Sequence, residues 1–170
     1  MITLYGNQVT WLPVSDHDPG LRQLADRHYS RKTPGAKKYV GPGEYLALIT
    51  PDGKAGFIWR KTKPELRADG QEGIECTLFR NEVPELYLSS ELILQAEKLA
   101  LVKWPDATRF FTYVDPRKVR SSYPGYTFIR AGYKRIGTNK SGRLIILAKV
   151  VKKSCPILAR IGNKTHGGQA

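Results

Sequence analysis

Residues 44–60 read EYLALITPDGKAGFIWR, which is two apolar runs separated by a turn. The runs cover 44–50 and 54–60, and Pro51-Asp52-Gly53 between them has the residue types that reverse the direction of a chain. This pattern is typical of an antiparallel β-hairpin. Apolar character returns over 74–80, after a polar stretch at 61–73 that we expect to lie on the surface. We therefore predict three consecutive strands at the centre of the fold.

Upstream of the hairpin, the sequence predicts two short strands, a helix and a loop. Residues 2–5 and 9–12 have strand character. A helix is expected from Asp18-Pro19-Gly20, because aspartate caps a helix start and proline fits its first turn. Four residues have the spacing of one helix face and are predicted to face the core: Leu21, Leu24, Ala25 and His28. Residues 30–43, rich in glycine, proline and basic side chains, follow as a loop.

Downstream of the hairpin, helix and strand patterns alternate. Ser89-Ser90 precedes an amphipathic helix that ends before Trp104, and a short helix over 124–131 is followed by Gly132. Strands are expected over 109–115, 133–136 and 143–151. The pattern predicts an α+β fold with a mixed, mostly antiparallel sheet flanked by helices. We assign residues 1–151 to one domain and 152–170 to a basic, flexible tail.

Positive charge is concentrated in the last third of the chain. Residues 1–116 hold 15 Lys and Arg together with all 15 Asp and Glu, whereas residues 117–170 hold 13 Lys and Arg and no acidic residue. The net charge of +13 therefore resides in the last segment. Such an imbalance attracts polyanions, of which nucleic acid is the commonest, and a solvated basic surface is the alternative explanation.

The cysteines and the apolar runs limit the class of protein. Cys76 and Cys155 are far apart and belong to no Cys/His cluster, which argues against a zinc module or a disulfide framework, so we expect free thiols. The chain does not open with a charged and then apolar leader, and no apolar run is long enough to span a bilayer. We expect a cytoplasmic protein without a membrane partner.

Several motifs resemble known families. The segment over 123–133 is similar to the short helix that precedes the penultimate strand in the GNAT superfamily, and the predicted element order is the GNAT order. Four motifs resemble the Mom-type DNA modification proteins of phages: Asp26-Arg27-His28-Tyr29-Ser30, Leu78-Phe79-Arg80-Asn81, Ser89-Ser90-Glu91-Leu92-Ile93 and Thr112-Tyr113-Val114-Asp115-Pro116. The resemblance spans roughly residues 20–148.

The resemblance implies a GNAT-like transferase that modifies the exocyclic amine of adenine in double-stranded DNA. The added group would be of the carbamoylmethyl (acetamido) type and would protect phage DNA from restriction in the cytoplasm of a bacterial host. Composition and spacing do not show this activity. Two alternatives stay open: a GNAT-type N-acyltransferase acting on a small amine or a protein, and a non-catalytic basic DNA-binding protein.

The donor site departs from the general GNAT pattern. The glycine-containing turn that holds the diphosphate of coenzyme A is replaced here by residues 83–87, Val-Pro-Glu-Leu-Tyr. Acetyl-CoA and another acyl or aminoacyl donor, small or carrier-bound, are both candidates. We expect the donor to bind at Arg80, Asn81, Ser89 and Ser90, although helix capping explains the two serines equally well.

Three residues are candidates for catalysis: His28, Tyr29 and Asp115. His28 would be the base that takes a proton from the amine, and Tyr29 would be an acid or an orienting hydroxyl. Asp115 lies at the carboxyl end of a predicted strand, where ligands of such sheets bind. The structural alternatives are a core histidine bonded to a backbone carbonyl and an aspartate that begins a turn with Pro116. The three side chains also form a mixed N/O set that suits ferrous iron, an interpretation we place second to a site without metal.

The duplex would be held by basic side chains. Because no acidic residue lies near the downstream cations in sequence, they cannot all be paired internally, and some should contact phosphates. Tyr123, Tyr126 and Tyr133 lie among them and suit either stacking on an extruded base or core packing. The residues assigned to the substrate are Arg31, Lys32, Tyr113, Arg117, Lys118, Arg120, Lys134 and Arg135.

Overall fold

A sheet with helices on both faces carries the fold. The computed structural model describes residues 3, 4, 7, 8 and 10–152, and these form nine strands and three α-helices. The strands are β1 (Thr3–Leu4), β2 (Asn7–Gln8), β3 (Leu12–Val14), β4 (Glu44–Ile49), β5 (Ala55–Lys61), β6 (Ile74–Asn81), β7 (Arg109–Val114), β8 (Lys134–Thr138) and β9 (Ile145–Val150). The helices are α1 (Pro19–Asp26), α2 (Ser89–Lys103) and α3 (Tyr126–Arg130). The predicted tail from residue 153 onward, with Cys155, lies outside the described residues.

The order of the strands confirms the α+β, mostly antiparallel prediction. One sheet has the order β3-β4-β5-β6-β7-β9-β8, and β1 and β2 pair separately. Each neighbouring pair in the large sheet is antiparallel except β6 and β7. The predicted hairpin is formed by β4 and β5, with Leu46 opposite Trp59 and Leu48 opposite Phe57. Within the described residues, no helix combines the length and apolar character needed to cross a bilayer.

Strands β6 and β7 pair over only part of their length. Residues 74–76 lie parallel to residues 110–112, and the Thr112 hydroxyl donates to the Cys76 carbonyl at 3.0 Å where this pairing ends. Beyond this point β6 continues beside β5, and β7 continues beside β9. We call residues 74–76 and 110–112 the paired half, and the residues that follow them on the two strands the open half. A gap opens between the strands in the open half.

Each face of the sheet packs against helices. On one face, aromatic side chains lie beneath α2 and α3, and the Trp59 indole donates to the carbonyl of Ala96 in α2 at 2.9 Å. On the other face, α1 packs on a smaller core that includes Ile58 and Leu78. Neighbouring residues of β5 thus serve opposite cores, as the alternation along a strand requires. The two helical layers hold the strands on either side of the gap.

Helix α1 is shorter than its sequence pattern predicted. Asp18 caps it by accepting the amide of Leu21 at 2.7 Å, as expected. The helix ends at Asp26, however, and His28 lies in the turn beyond it, half-buried rather than on the core face. The prediction for His28 was therefore wrong in its helical position. No glycine or proline follows the end of the helix, and the helical spacing of the side chains continues to His28, so the sequence predicted a helix that was too long.

The start of α2 also differs from the prediction. Leu88 occupies the N-cap position, and no side chain caps the helix. Ser89 and Ser90 lie inside the first turn, so the capping role that we considered for them is wrong. The Ser89 hydroxyl instead accepts a hydrogen bond from the Asn81 side chain at 3.0 Å. The serine is thereby tied to the end of β6.

The polar stretch between β5 and β6 is mostly exposed, as predicted, but some of its side chains also hold it to the sheet. Arg67 is only 5% exposed, forms an ion pair with Asp69, and donates to Glu75 at 2.9 Å. Its guanidinium lies 4.8 Å from the centroid of the Phe111 ring, and the Tyr113 hydroxyl donates to Asp69. The segment therefore braces β6 and β7 beside their paired half.

Candidate active site

The gap between β6 and β7 opens into a cleft of about 370 Å³. Its walls come from the turn after α1, from β6 and β7, and from the segment that leads into α3. The three predicted catalytic residues, His28, Tyr29 and Asp115, all line this cleft. The sequence therefore identified residues that the fold brings together across 87 positions, although it placed His28 on the wrong element.

The turn after α1 presents three polar side chains to the cleft. The imidazole of His28 stacks on the ring of Tyr29, with 4.4 Å between the ring centroids. Nδ1 of His28 lies 2.7 Å from the hydroxyl of Ser30 and accepts the Ser30 amide at 3.3 Å. Since the amide can only donate, Nδ1 is the unprotonated nitrogen and the Ser30 hydroxyl donates to it as well.

The surroundings of His28 keep its imidazole uncharged at neutral pH. Burial, followed by the positive charge of Arg80, lowers the pKa of His28 to about 4, against the opposing effect of a hydrogen bond to the Phe79 backbone. An uncharged imidazole can accept a proton, as a general base must. The bond to Phe79 also suits a structural histidine, and the two roles differ in what a substitution changes.

Tyr29 and Asp115 meet across the cleft. The Tyr29 hydroxyl oxygen accepts the amide of Asp115 at 3.4 Å, and burial raises the pKa of Tyr29, so the phenol keeps its proton. The Asp115 carboxylate is gripped by Arg117, with Nε at 3.0 Å and Nη2 at 2.8 Å. These hydrogen bonds lower the pKa of Asp115 to about 2. Because both carboxylate oxygens accept hydrogen bonds from Arg117, the contacts of Asp115 favour a positioning role.

The loop between β6 and α2 is shaped by Asn81. Its side-chain amide donates to the Tyr87 carbonyl at 2.7 Å and to the Ser89 hydroxyl at 3.0 Å, and its oxygen accepts the Val83 amide at 3.1 Å. Asn81 and Ser89, both predicted to bind the donor, thus hold the loop in place. Ser90 follows in the first turn of α2.

Arg80, the remaining predicted donor residue, is engaged with its neighbours. Its Nε donates to Glu82 at 2.7 Å, and its Nη1 donates to the Arg27 carbonyl at 2.8 Å. Glu82 also pairs with the Arg27 guanidinium at 2.7 Å. A carboxylate therefore stands beside the arginine, and residues 82–88 contain no glycine that would let a diphosphate approach the backbone. This loop does not fit the diphosphate of coenzyme A.

The predicted substrate residues fall into two groups. In the first, Arg31 is fixed by Asp26 at 2.8 Å and by two loop carbonyls, Arg117 holds Asp115, and the Tyr113 hydroxyl donates to Asp69. In the second group the side chains are exposed and form no salt bridge among the described residues: Lys32, Lys118, Arg120, Lys134 and Arg135. Only this second group leaves its charge open to a polyanion.

Ser30 and Thr77 are two of the polar cleft residues that the sequence reasoning missed. Ser30 bonds to His28, and its position two residues after a histidine was the available signal. Thr77 begins the open half of β6, and its hydroxyl is buried with no hydrogen-bond partner among the described residues. Nothing in the sequence marks Thr77, because its exposure to the cleft depends on where β7 leaves β6.

The contacts give the iron interpretation no support. No three His, Cys, Asp or Glu side chains in the described part of the chain lie close enough together to hold a metal ion. The predicted set also needs the Asp115 carboxylate, whose two oxygens both accept from Arg117. One of the three candidate ligands is therefore already engaged by a protein cation.

Comparison with solved structures identifies the architecture. Aminoglycoside acetyltransferase AAC(6')-Ib in complex with coenzyme A matches with a TM-score of 0.56 and 17% identity, over 83% of this chain and 94% of that chain. Aminoglycoside 6'-acetyltransferase type Ii matches with a TM-score of 0.58 and 18% identity, over 82% and 96%. The chain has the GNAT acetyltransferase fold. The predicted fold class is thereby confirmed.

A further GNAT-fold neighbour acts on a different kind of amine. The ribosomal-protein-S18-alanine N-acetyltransferase from Escherichia coli matches with a TM-score of 0.52 and 13% identity, over 88% of this chain and 97% of that chain. No protein-family model and no curated protein sequence matches the chain. At these identities the likeness shows the GNAT fold alone, and each substrate belongs to the protein that is named for it.

Proposed function

We propose that the protein is a transferase that moves an acyl-type group to an amine bound in the cleft of its GNAT fold. The observation that carries the proposal is the uncharged His28 imidazole, which is hydrogen-bonded to Ser30 and stacked on Tyr29 at the gap between β6 and β7. An amine must lose a proton as it forms its new bond, and a base at the cleft serves that need. The fold of the amine acetyltransferases supports the same reading.

The chemistry follows from three side chains. The amine nitrogen attacks the carbonyl carbon of the donor, so the N–C bond forms and the bond from that carbon to the carrier breaks. The Ser30 hydroxyl takes the proton from the amine while it passes its own proton to Nδ1 of His28, 2.7 Å away. Tyr29, which keeps its proton because burial raises its pKa, supplies a proton to the leaving atom of the carrier. Asp115 positions Tyr29 through its amide.

The donor is expected to bind without a diphosphate cradle. Arg80 is paired with Glu82, and the loop over 82–88 lacks glycine, so we expect coenzyme A to bind with a Kd weaker than about 1 mM. Calorimetry with acetyl-CoA and the full chain measures this. Micromolar binding would restore acetyl-CoA as the donor.

A second candidate is the modification of adenine in duplex DNA, as the resemblance to Mom-type proteins implies. The carbamoylmethyl group joins the amine through a methylene carbon, so this transfer would form its N–C bond at that carbon and not at a carbonyl carbon. The segment over 117–128 lines part of the cleft and also carries the exposed cations Lys118 and Arg120. Tyr123 and Tyr126 in the same segment are 72% and 53% exposed. Cations that bind phosphate and aromatic rings that stack on a base would thus stand beside a cleft that accepts an amine. The work would take place in the cytoplasm of a bacterial host.

Mass spectrometry of a bacterium that expresses the chain tests both candidates. Digested DNA nucleosides, small amines and protein amino groups are compared with cells that express His28→Ala. A mass added to deoxyadenosine supports DNA modification, and an acyl mass added to another amine supports the acyltransferase proposal. Strong duplex binding with every pool unchanged would overturn both and leave a non-catalytic DNA-binding protein.

The contribution of the basic surface to duplex binding can be measured separately. Reversing Lys134 and Arg135 to glutamate should weaken duplex binding about tenfold and reduce its salt dependence, because fewer counterions are released. A matched control reverses Lys54 and Lys98, which are exposed on other parts of the fold. Equal loss in both variants would show a response to net charge and remove β8 from the interface.

A further inference from the structure

A second cavity lies beneath the basic loop that follows α1. It has a volume of about 610 Å³ and is bounded by the loop over 30–43 on one side and by β5 and β6 on the other. The loop packs closely on this side, since a side chain added at Gly41 would lie 2.2 Å from Nη1 of Arg60. The loop and the sheet therefore form two sides of the cavity.

The cavity has a positive lining. Four of its charged lining residues are basic and one, Glu75, is acidic. Glu75 is neutralised by Arg60 at 2.7 Å and by Arg67 at 2.9 Å. Lys32 and Lys38 at the rim form no salt bridge among the described residues. A bound anion would thus be attracted, and a cationic molecule would be repelled.

Two buried polar atoms of the lining have no hydrogen-bond partner among the described residues. They are Nε of Arg60, which can only donate, and the hydroxyl oxygen of Thr77. Both atoms are shielded from solvent, so a ligand with acceptor oxygens would meet them after a small turn of the side chains toward the cavity. Such a turn is favoured because an unpaired buried polar group costs on the order of 1–3 kcal/mol. Thr62 also has a buried hydroxyl without a partner, but it does not line the cavity.

The cavity is continuous with the proposed active site. Ser30, Glu75, Thr77 and Leu78 line both the cavity and the cleft. A molecule anchored by its anionic end between Arg60 and Thr77 would therefore extend past Ser30 toward His28. Its other end would reach the groups that accept the proton of an amine.

We propose that this cavity binds the anionic group, a phosphate or a carboxylate, of the amine acceptor. The proposal rests on the proposed function for its link to an acceptor, and on the lining itself for its choice of an anion. The acceptor is then an anionic molecule that carries its reactive amine within reach of the cleft. A polycationic amine would be a poor substrate.

Calorimetry with the full chain, without any donor, tests the site. Inorganic phosphate and acetate are titrated separately at constant ionic strength into the wild type, Thr77→Val and Thr62→Val. One anion should bind saturably to the wild type, and Thr77→Val should weaken it about tenfold, as expected for the loss of a hydrogen bond to a charged group. Thr62→Val is the matched control and should bind like the wild type. Tighter phosphate binding assigns a phosphate-bearing acceptor, and tighter acetate binding assigns a carboxylate.

A second variant guards against misfolding of Thr77→Val. Replacing the exposed rim residues Lys32 and Lys38 by glutamine should weaken the same anion at least threefold without changing the melting temperature. Binding of wild-type strength in both Thr77→Val and the lysine variant would overturn the site. If the chain transfers its group but binds neither anion, the proposed function stands and the anion site is wrong. If the chain binds an anion but modifies no amine, the anion site stands and the proposed function is wrong.

Discussion

The two halves of β6 and β7 differ in how their polar groups are satisfied. In the paired half the strands share backbone hydrogen bonds, and the buried Arg67 braces them through Glu75 and the ring of Phe111. In the open half, Thr77 has a buried hydroxyl without a partner, and His28 faces the gap as an uncharged imidazole. The two halves therefore serve different purposes. Pairing of the strands stabilises the fold, and their separation forms the cleft in which the reaction would take place.

The largest expected effect is the loss of activity in His28→Ala, at the open half. Removing a general base should lower the rate of transfer by at least about 100-fold. The control Ser30→Ala keeps the imidazole and should lose about tenfold, since Nδ1 can then take the proton directly. The rate of product formation is measured together with the melting temperature. A drop of several degrees in His28→Ala, with activity falling only in proportion, would make His28 structural.

The next effect concerns the paired half and appears as stability. Gly73 has a φ of +109°, and a side chain there would lie 2.3 Å from the Arg109 carbonyl oxygen. Gly73→Ala should lower the free energy of unfolding by about 3 kcal/mol, whereas Gly70→Ala should lower it by about 1 kcal/mol. Gly70 has a φ of +69° with no atom within 4 Å, so it isolates the backbone strain from the clash. Urea unfolding measures both, and equal losses would show that the close approach to β7 is unimportant.

A smaller effect is expected for Asp115→Asn. Both oxygens of the carboxylate accept hydrogen bonds from Arg117, so Asp115 is a positioning residue and not the group that accepts the proton. Activity should fall by no more than about tenfold, because the substitution weakens the hold on Arg117 but keeps the backbone amide that meets Tyr29, and the pH profile should keep its shape. A loss as large as that of His28→Ala would return Asp115 to a direct catalytic role.

The smallest effect is the response to mild acid. The pKa of His28 is lowered to about 4 from an ordinary value of 6.5, so the base stays unprotonated between pH 7 and 5. The transfer rate should change less than about twofold over that range and fall only near pH 4. The free energy of unfolding decreases in acid, because below pH 6.5 the unfolded chain takes up a proton at His28 that the folded chain does not. The free energy of unfolding should therefore fall more steeply from pH 6.5 to 4 in the wild type than in His28→Ala.

The sequence predicted the fold well where local patterns decide it. The turn over 51–53 and its flanking apolar runs predicted the β4-β5 hairpin, and the capping residue Asp18 predicted the start of α1. The end of a helix that no glycine or proline follows is difficult to predict from the sequence, and His28 was therefore placed inside α1 when it lies beyond it. Charge could be counted from the sequence, but its pairing could not, since Arg67 meets Glu75 only after the chain has folded back.

The sequence predicted some residues of the candidate site, but it did not predict how the strands that carry them are arranged. His28, Tyr29 and Asp115 were chosen from motifs and do line one cleft. The gap that brings them together depends on where β7 stops pairing with β6, a property of the sheet that no local pattern encodes. The same holds for Arg60 and Thr77, whose unpartnered atoms become apparent only in three dimensions.

The account is tested most directly by measuring modified product per folded molecule in His28→Ala beside Gly73→Ala. Folded protein is quantified by urea unfolding and product by mass spectrometry of the amine pool that the wild type modifies. The account predicts almost no product from a stable His28→Ala and near wild-type product per folded molecule from a destabilised Gly73→Ala. Full modification by a stable His28→Ala would contradict it.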